Sequence, residues 1–314
     1  MQLSIVIPLY NEAESLPELH DWIVRIMDAQ QFSYEILFID DGSKDASWQT
    51  IVALRNKNQA VKGLRFQRNY GKSAALQVGF EAAKGTVVIT MDADLQDSPD
   101  EIPELYRMIT QEDLDVVSGW KKVRHDPISK TIPTKLYNWA ARRITGIYLH
   151  DFNCGLKAYK LEVVKSIELY GDMHRYIPAL AKYVGFQNIG EKVVVHRARQ
   201  YGVTKFGLNR FLNGPLDLMT VAFMGKFAKK PMHFFGAIGV FMFLLGFGLF
   251  AFMGIDKLLI HPTAERLSTR SDFFVALVVM IIGVQFFTAG FIAELIGRNS
   301  STRNHYLISS RLGE

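Results

Sequence analysis

The chain has 314 residues, with 36 Lys and Arg against 31 Asp and Glu, a formal charge of +5, and 49% apolar residues. That length accommodates one large domain or two ordinary ones, and so small a basic excess argues for no nucleic-acid partner. A single cysteine, Cys154, excludes an internal disulfide and suits a reducing compartment; eight histidines without HxxxH-like spacing carry no zinc signature.

No basic n-region followed by an apolar h-region opens the sequence, since the apolar run Leu3–Leu9 is too short, so the N-terminal part is expected to stay in the cytosol. "LSIVIPL" reads as a strand ended by Pro8. Asn11 is expected to cap the next helix, with Glu14 as its capping-box partner. "YEILFID" is a second strand, Asp45–Asn58 a helix, "VKGLRF" a third strand, Ser73–Ala83 an Ala-rich helix and "TVVITMD" a fourth strand. Ser98 is expected to cap another helix, with Pro99 at its first position and Glu101 three residues on, and "DVVSG" is a fifth strand. Alternating helices and continuously apolar strands imply an α/β domain over residues 1–209, with a mostly parallel sheet covered on both faces.

The far end differs. Phe234–Gly254 carries no charge, and Phe273–Gly297 carries only Glu294, so both read as transmembrane helices within residues 233–297. Arg210, Lys226, Lys229 and Lys230 precede the first span, and Arg298, Arg303 and Arg311 follow the second. The loop between holds Lys257, Arg266 and Arg270 against three acids, so both chain ends, including the tail 298–314, are expected inside. Residues 210–232 mix Phe211, Leu212, Leu216, Leu218, Met219, Phe223, Met224 and Phe227 with polar residues. They read as an amphipathic interfacial linker, with a segment packed under the first domain as the alternative.

The chemistry gathers at strand ends. "GTVVITMDADLQDSPDE" delivers Asp92, Asp94 and Asp97 to one point, while "PLYNE" and "DDGS" end the first two strands. In open α/β sheets, ligands bind beyond the carboxyl ends of the strands. Acids gathered there repel unless a cation joins them, and Asp-x-Asp supplies two hard oxygens suited to Mg²⁺ or Mn²⁺, which also takes phosphate oxygens. Such an ion would neutralise a leaving diphosphate. A calcium loop is excluded, because its Gly and Glu positions fall on Asp97 and Pro103. An aspartyl nucleophile and plain solvated loop acids remain as alternatives. "NYGKSAA" contains the Gly-Lys-Ser of a P-loop, but Phe66 stands where the first glycine belongs, which disfavours an ATPase. Lys72 and Arg68 are left as either diphosphate contacts or solvated surface.

The succession "PLYNE", "DDGS", "RNYGKSAAL", "MDADLQD", "DFNCGLKAY" and "RQYGVTKFG", followed by two spans, resembles the polyprenyl-phosphate glycosyltransferases. These sit with the dolichol-phosphate mannose synthase group in glycosyltransferase family 2. The resemblance implies a GT-A fold, a UDP- or GDP-sugar donor, Mg²⁺ or Mn²⁺, and an undecaprenyl or dolichyl phosphate acceptor at the cytosolic membrane face. It also implies inverting transfer. By the same resemblance Pro8, Tyr10, Glu12 and Asp41 match the nucleoside pocket, and Asp92, Asp94 and Gln96 the metal and diphosphate motif. Asp151 matches an acid near the reacting centre, and Arg199 and Lys205 a basic pair that meets phosphate. Family members often carry an acid before "HRYLPAL"; here Met173 precedes His174 and Arg175.

A lipid phosphate monoester, with a second pKa of about 6, is already largely dianionic at neutral pH and needs no strong general base. The site must instead bring two anions together, which calls for fixed cations. Arg199 and Lys205 lead, with Lys121, Arg124 and Lys135 as weaker candidates, Arg124 and Lys135 toward the acceptor phosphate. Asp151 is expected either to position the acceptor or to orient its neighbours. The partners are a nucleotide-sugar, a lipid phosphate and the bilayer; a homo-oligomer is compatible. A processive polysaccharide synthase would carry Gln-x-x-Arg-Trp, yet no Trp here follows an Arg. A non-catalytic membrane-anchored nucleotide-sugar binder would have lost the metal acids, which are all present.

Overall fold

In a computed structural model of the chain, residues 1–122, 138–197, 218–223, 227, 230–261 and 267–298 are described. The chain divides into two compact units, Met1–Ala222 and Phe223–Glu314.

The first unit runs β1 (Leu3–Leu9), α1 (Leu16–Gln30), β2 (Tyr34–Asp40), α2 (Ser47–Lys57), β3 (Val61–Arg65), α3 (Lys72–Ala82) and β4 (Val87–Thr90). A 3₁₀ turn at Pro99–Glu101 leads into α4 (Ile102–Gln111) and β5 (Val116–Trp120). Then come β6 (Lys157–Lys160), α5 (Leu161–Ser166), α6 (Ile177–Val184) and β7 (Ile189–Val193). The seven strands lie in the order β3-β2-β1-β4-β6-β5-β7. β6 runs antiparallel to both its neighbours, and the other pairings are parallel.

Period-2 alternation explains the two-sided core. Leu3, Ile5, Ile7 and Leu9 of β1 join one apolar cluster, and Val6 joins the other. Helix α1 buries Leu16, Leu19, Ile23 and Met27 in the first cluster, the i, i+3, i+7, i+11 stripe of an amphipathic helix. Helix α3 turns Ala75, Leu76 and Phe80 into the second. Each buried Leu, Ile or Phe contributes about 1.5–3 kcal/mol.

The Asn11 cap is absent, and Ser98 stands at the expected N-cap position before Pro99 without its capping box, because tertiary partners outcompete both local bonds. Helix α1 starts after Ser15, and Asn11 takes a left-handed φ of 53°. Asn11 Oδ1 accepts from Lys44 N at 2.8 Å and its own N–H donates to Ser43 Oγ at 2.9 Å, which stitches the ends of β1 and β2 together. Glu101 likewise does not return to Ser98; it accepts from Val195 N at 3.1 Å and pairs with Lys192.

The second unit holds α7 (Pro231–Ile255) and α8 (Ser271–Arg298), both long and apolar enough to cross a membrane. Only 17% of each apolar window is buried, unlike a core helix. The two helices pack as a hairpin on small residues. A Cβ placed on Gly283 would lie 2.6 Å from Phe243 N, and one on Gly239 would lie 2.7 Å from Gly283 O. Gly283→Leu should therefore force the helices apart, at the roughly 1–3 kcal/mol typical of overpacking. The check is the melting temperature of the detergent-solubilised chain; an unchanged value would show that the helices do not meet there.

Candidate active site

Six strands point their carboxyl ends to one edge of the sheet, and β6 enters from that same edge. Thr90 at the end of β4 is paired with Lys157 at the start of β6, so residues 91–94 and 152–156 meet there. The antiparallel strand is what brings the "DFNCG" loop to the acids. A four-residue strand with a lysine at each end gives almost no sequence signal of its own.

At the β3-β2-β1 side of the edge lies a cleft of about 700 Å³, lined by Tyr10, Gly42, Ser43, Trp48, Phe66 and Arg68 among others. Its aromatic walls suit a stacked base. Pro8, in β1 opposite Ile39, is half-buried and is not among the residues that line the cleft. Glu12 N donates to Ser47 Oγ at 3.0 Å, and its carbonyl accepts from Ser15 N, holding the β1–α1 loop. Asp41 is buried and lines the cleft only indirectly: its carboxylate accepts from Tyr70 N at 2.7 Å and Gly71 N at 2.9 Å. Burial pushes its pKa up, against those two hydrogen bonds. Gly42, at φ 72°, lets the "DDGS" turn touch the Arg68 backbone, where a Cβ would sit 2.5 Å away. Arg68 itself lies over the Tyr70 ring at 4.7 Å.

Asp92 lies at the centre of the edge. Lys72, at the start of α3, ion-pairs with it. Burial opposes ionisation of Asp92, but Lys72 and then Lys121 outweigh it and hold the carboxyl at about 2. Asp94 is buried, and its Oδ1 accepts from Gln96 N at 3.2 Å across a turn in which Leu95 has a φ of 60°. A buried leucine in the left-handed region costs on the order of 1–3 kcal/mol, and such strain clusters at ligand sites. Gln96 Nε2 donates to Arg197 O at 3.4 Å. Asp97, fully buried, pairs with Lys121 at 2.9 Å. Burial alone would lower the Lys121 pKa, but Asp97 raises it well above the usual lysine range.

A second cavity of about 140 Å³ opens against Asp92, lined also by Lys72, Asn153, Gly155, Lys157, His174 and Arg175 among others. Burial lowers the pKa of Lys157, whose Nζ donates to Phe152 O at 3.3 Å and to Cys154 O. Burial, reinforced by Lys72, pushes His174 well below its usual value, so the ring is neutral at pH 7. The Cys154 thiol, buried, is pushed up to about 12 and is no nucleophile. Asp151 lines neither cavity. It is buried, its N–H donates to Glu191 Oε1 at 3.1 Å, and its Oδ1 accepts from Asn153 N at 3.0 Å, which sets the loop's turn.

The expected residues Tyr10, Asp41, Lys72, Asp92, Asp94 and Gln96 thus share one edge. Arg124, Lys135, Arg199 and Lys205 lie outside the described residues. Lys157, His174 and Arg175 received no role from the sequence, because a buried lysine is rare enough to be read as surface. Of the 210–232 segment, Leu218 and Val221 take the packed alternative: both are buried in the second core cluster.

Asp92, Asp94 and Gln96 offer hard oxygen donors, but no group of three or more His, Cys, Asp or Glu with metal-binding geometry occurs among the described residues. A divalent ion here would complete its shell with diphosphate oxygens and water, which is how Mg²⁺ and Mn²⁺ commonly bind. The residues fit an ion that arrives with its substrate.

Residues 4–167 match the description "Glycosyl transferase family 2". Over 304 residues the chain is 36% identical to the dodecaprenyl-phosphate galacturonate synthase of Rhizobium johnstonii, covering 95% of this chain and 88% of that one. It is 33% identical to the undecaprenyl-phosphate 4-deoxy-4-formamido-L-arabinose transferase of Aeromonas hydrophila, covering 94% and 88%. Among solved structures, glucosyl-3-phosphoglycerate synthase of Mycobacterium tuberculosis in complex with UDP superposes with a TM-score of 0.55 at 18% identity, over 71% of this chain and 79% of that one. The same enzyme with Mn²⁺, UDP-glucose and phosphoglyceric acid gives a TM-score of 0.53 at the same identity and coverage. At that identity the likeness speaks for the fold alone: a GT-A-like, mostly parallel sheet.

Proposed function

The chain belongs to glycosyl transferase family 2, and from that premise we propose that it transfers a sugar from a nucleotide-sugar to a polyprenyl phosphate at a membrane. The observation that carries this reading is the arrangement at the sheet edge. An aromatic cleft sized for a nucleoside and a smaller cavity walled by Lys72 and Asp92 both open at the strand ends, in a chain that also carries two helices long and apolar enough to cross a membrane. The base lies in the larger cleft, the diphosphate by the acids, and the sugar beyond Asp92.

An already ionised acceptor phosphate oxygen attacks the anomeric carbon while the bond to the diphosphate oxygen breaks; this single displacement inverts the centre. A divalent ion at Asp94, Asp92 and Gln96 would supply charge neutralisation of the departing diphosphate. Lys72 fixes Asp92 and offers a second positive charge on that path. Asp151 acts by holding the 151–155 loop. Arg199 and Lys205 meet phosphate, with Arg124 and Lys135 assisting on the acceptor side. Incubating the full chain with UDP- and GDP-sugars and undecaprenyl or dolichyl phosphate tests the reading. The expected product is a lipid-linked sugar whose formation stops in excess chelator. Hydrolysis alone, or transfer to no lipid phosphate, would overturn it.

Arg199→Ala and Lys205→Ala should each lower transfer about ten- to a hundredfold, the size of a lost charge-assisted phosphate contact. Nucleotide affinity should fall less; equal losses would move the pair to the donor diphosphate.

We place the catalytic unit on the cytosolic side, in the inner membrane if the source is bacterial, from the flanking-charge bias. A cysteine introduced at Thr263 should react with an impermeant thiol reagent in intact cells, and one at Ser300 should not. The native Cys154 is buried and gives no background. The reverse labelling would invert the topology.

A further inference from the structure

The second cavity selects among sugars. We propose that the donor sugar carries a carboxylate, as in a nucleotide-activated uronic acid, and that Arg175 and Lys157 receive it beyond Asp92. This inference rests on the transfer reading above and adds the sugar's chemical class.

The charge balance of the cavity is the first reason. Its charged walls are Lys72, Lys157 and Arg175 against the single carboxylate of Asp92. Lys72 is paired with Asp92 and, on the transfer reading, faces the diphosphate rather than the sugar. Lys157 gives two of its three N–H bonds to the carbonyls of Phe152 and Cys154, which leaves one. Arg175 has no carboxylate partner among the described residues, and its planar fork matches a carboxylate in two parallel hydrogen bonds. Met173, two residues before it, is a buried core residue and brings no compensating charge.

His174 adds a neutral polar ring to the wall. Ser73 Oγ accepts from His174 N at 3.1 Å and lies 3.0 Å from His174 Nδ1, which holds the ring in place.

In a cavity that receives the sugar, a uronic acid supplies a carboxylate that accepts from Arg175 and Lys157. The volume of about 140 Å³ admits one sugar ring and excludes a nucleoside.

The test compares donors that differ only at C6, using the full chain and undecaprenyl phosphate. The pairs are UDP-glucuronate with UDP-glucose, UDP-galacturonate with UDP-galactose, and GDP-mannuronate with GDP-mannose. The acidic member of at least one pair is expected to exceed its neutral partner in kcat/KM by tenfold or more. Arg175→Leu should shrink that ratio about tenfold, and Arg175→Lys should fall between. Nucleotide binding by each variant checks that it has folded. Faster transfer of the neutral member in every pair that reacts would overturn the inference and leave lipid-phosphate transfer standing. So would an equal loss for both members in Arg175→Leu, because the guanidinium would then serve a phosphate. Transfer from no donor would overturn the transfer reading, and this inference with it.

Discussion

Asp94→Ala should lower sugar transfer about 10²–10³-fold while leaving the fold intact. A metal that neutralises a departing diphosphate supplies several kcal/mol of charge stabilisation, and each 1.36 kcal/mol is tenfold in rate. Asp94 is buried at the strand end, where that charge has the least competition from water. The carboxylate also accepts the Gln96 N–H at 3.2 Å, beside Leu95 in its left-handed conformation. Loss in the alanine variant alone would therefore confuse charge with turn geometry. Asp94→Asn separates them, because its carbonyl oxygen keeps the Gln96 bond and loses the charge. Both variants are expected to be nearly inactive, with circular dichroism and melting temperature close to those of the parent. An active asparagine variant would remove the metal from Asp94.

Gly155→Ala should cost roughly a hundredfold in transfer, through a different physical route. An ideal Cβ at Gly155 would sit 2.5 Å from Asp92 Oδ2 and 2.7 Å from its Cγ, where about 3.5–4.0 Å is the comfortable separation. Gly155 is not among the positive-φ glycines, so its backbone accepts an alanine and only the carboxylate must give way. Asp92 is tethered to Lys72, so the pair must move together by about 1 Å, and misplacement on that scale costs about 10²-fold. Stability should change little, since the Asp92 side chain is about a third exposed (32%) and has room on its open side. Steady-state kinetics alongside a melting curve distinguish the outcomes. Full activity in Gly155→Ala would take Asp92 out of the reacting site.

Both expectations depend on neighbours that lie far apart in the chain, and this separates what was legible in the sequence from what was not. The strands, the acids that end them and the two apolar helices are all written locally. Alternation at period 2 makes a buried strand wherever it occurs, an Asp that follows such a strand in a parallel sheet has only one edge to go to, and apolar length decides membrane compatibility without any partner. The sequence therefore determined the α/β class, the strand-end location of Asp41, Asp92 and Asp94, and the two long apolar helices. It placed Ser98 correctly before Pro99 but mispredicted the Asn11 cap and the Glu101 capping box, since Asn11 and Glu101 carry sound local signals that distant donors outbid. The Lys192 partner of Glu101 is 91 residues away. Tertiary structure alone decided that β6 runs antiparallel, and with that reversal came the meeting of Gly155 with Asp92 and the burial of Lys157. It likewise decided that Lys72 neutralises Asp92, that Lys121 belongs to Asp97, and that Asp151 braces a loop beside Glu191. The physical reason is that an ion pair or hydrogen bond gains its energy only where the fold has already brought two groups together and removed the water between them, and residue order alone contains neither condition.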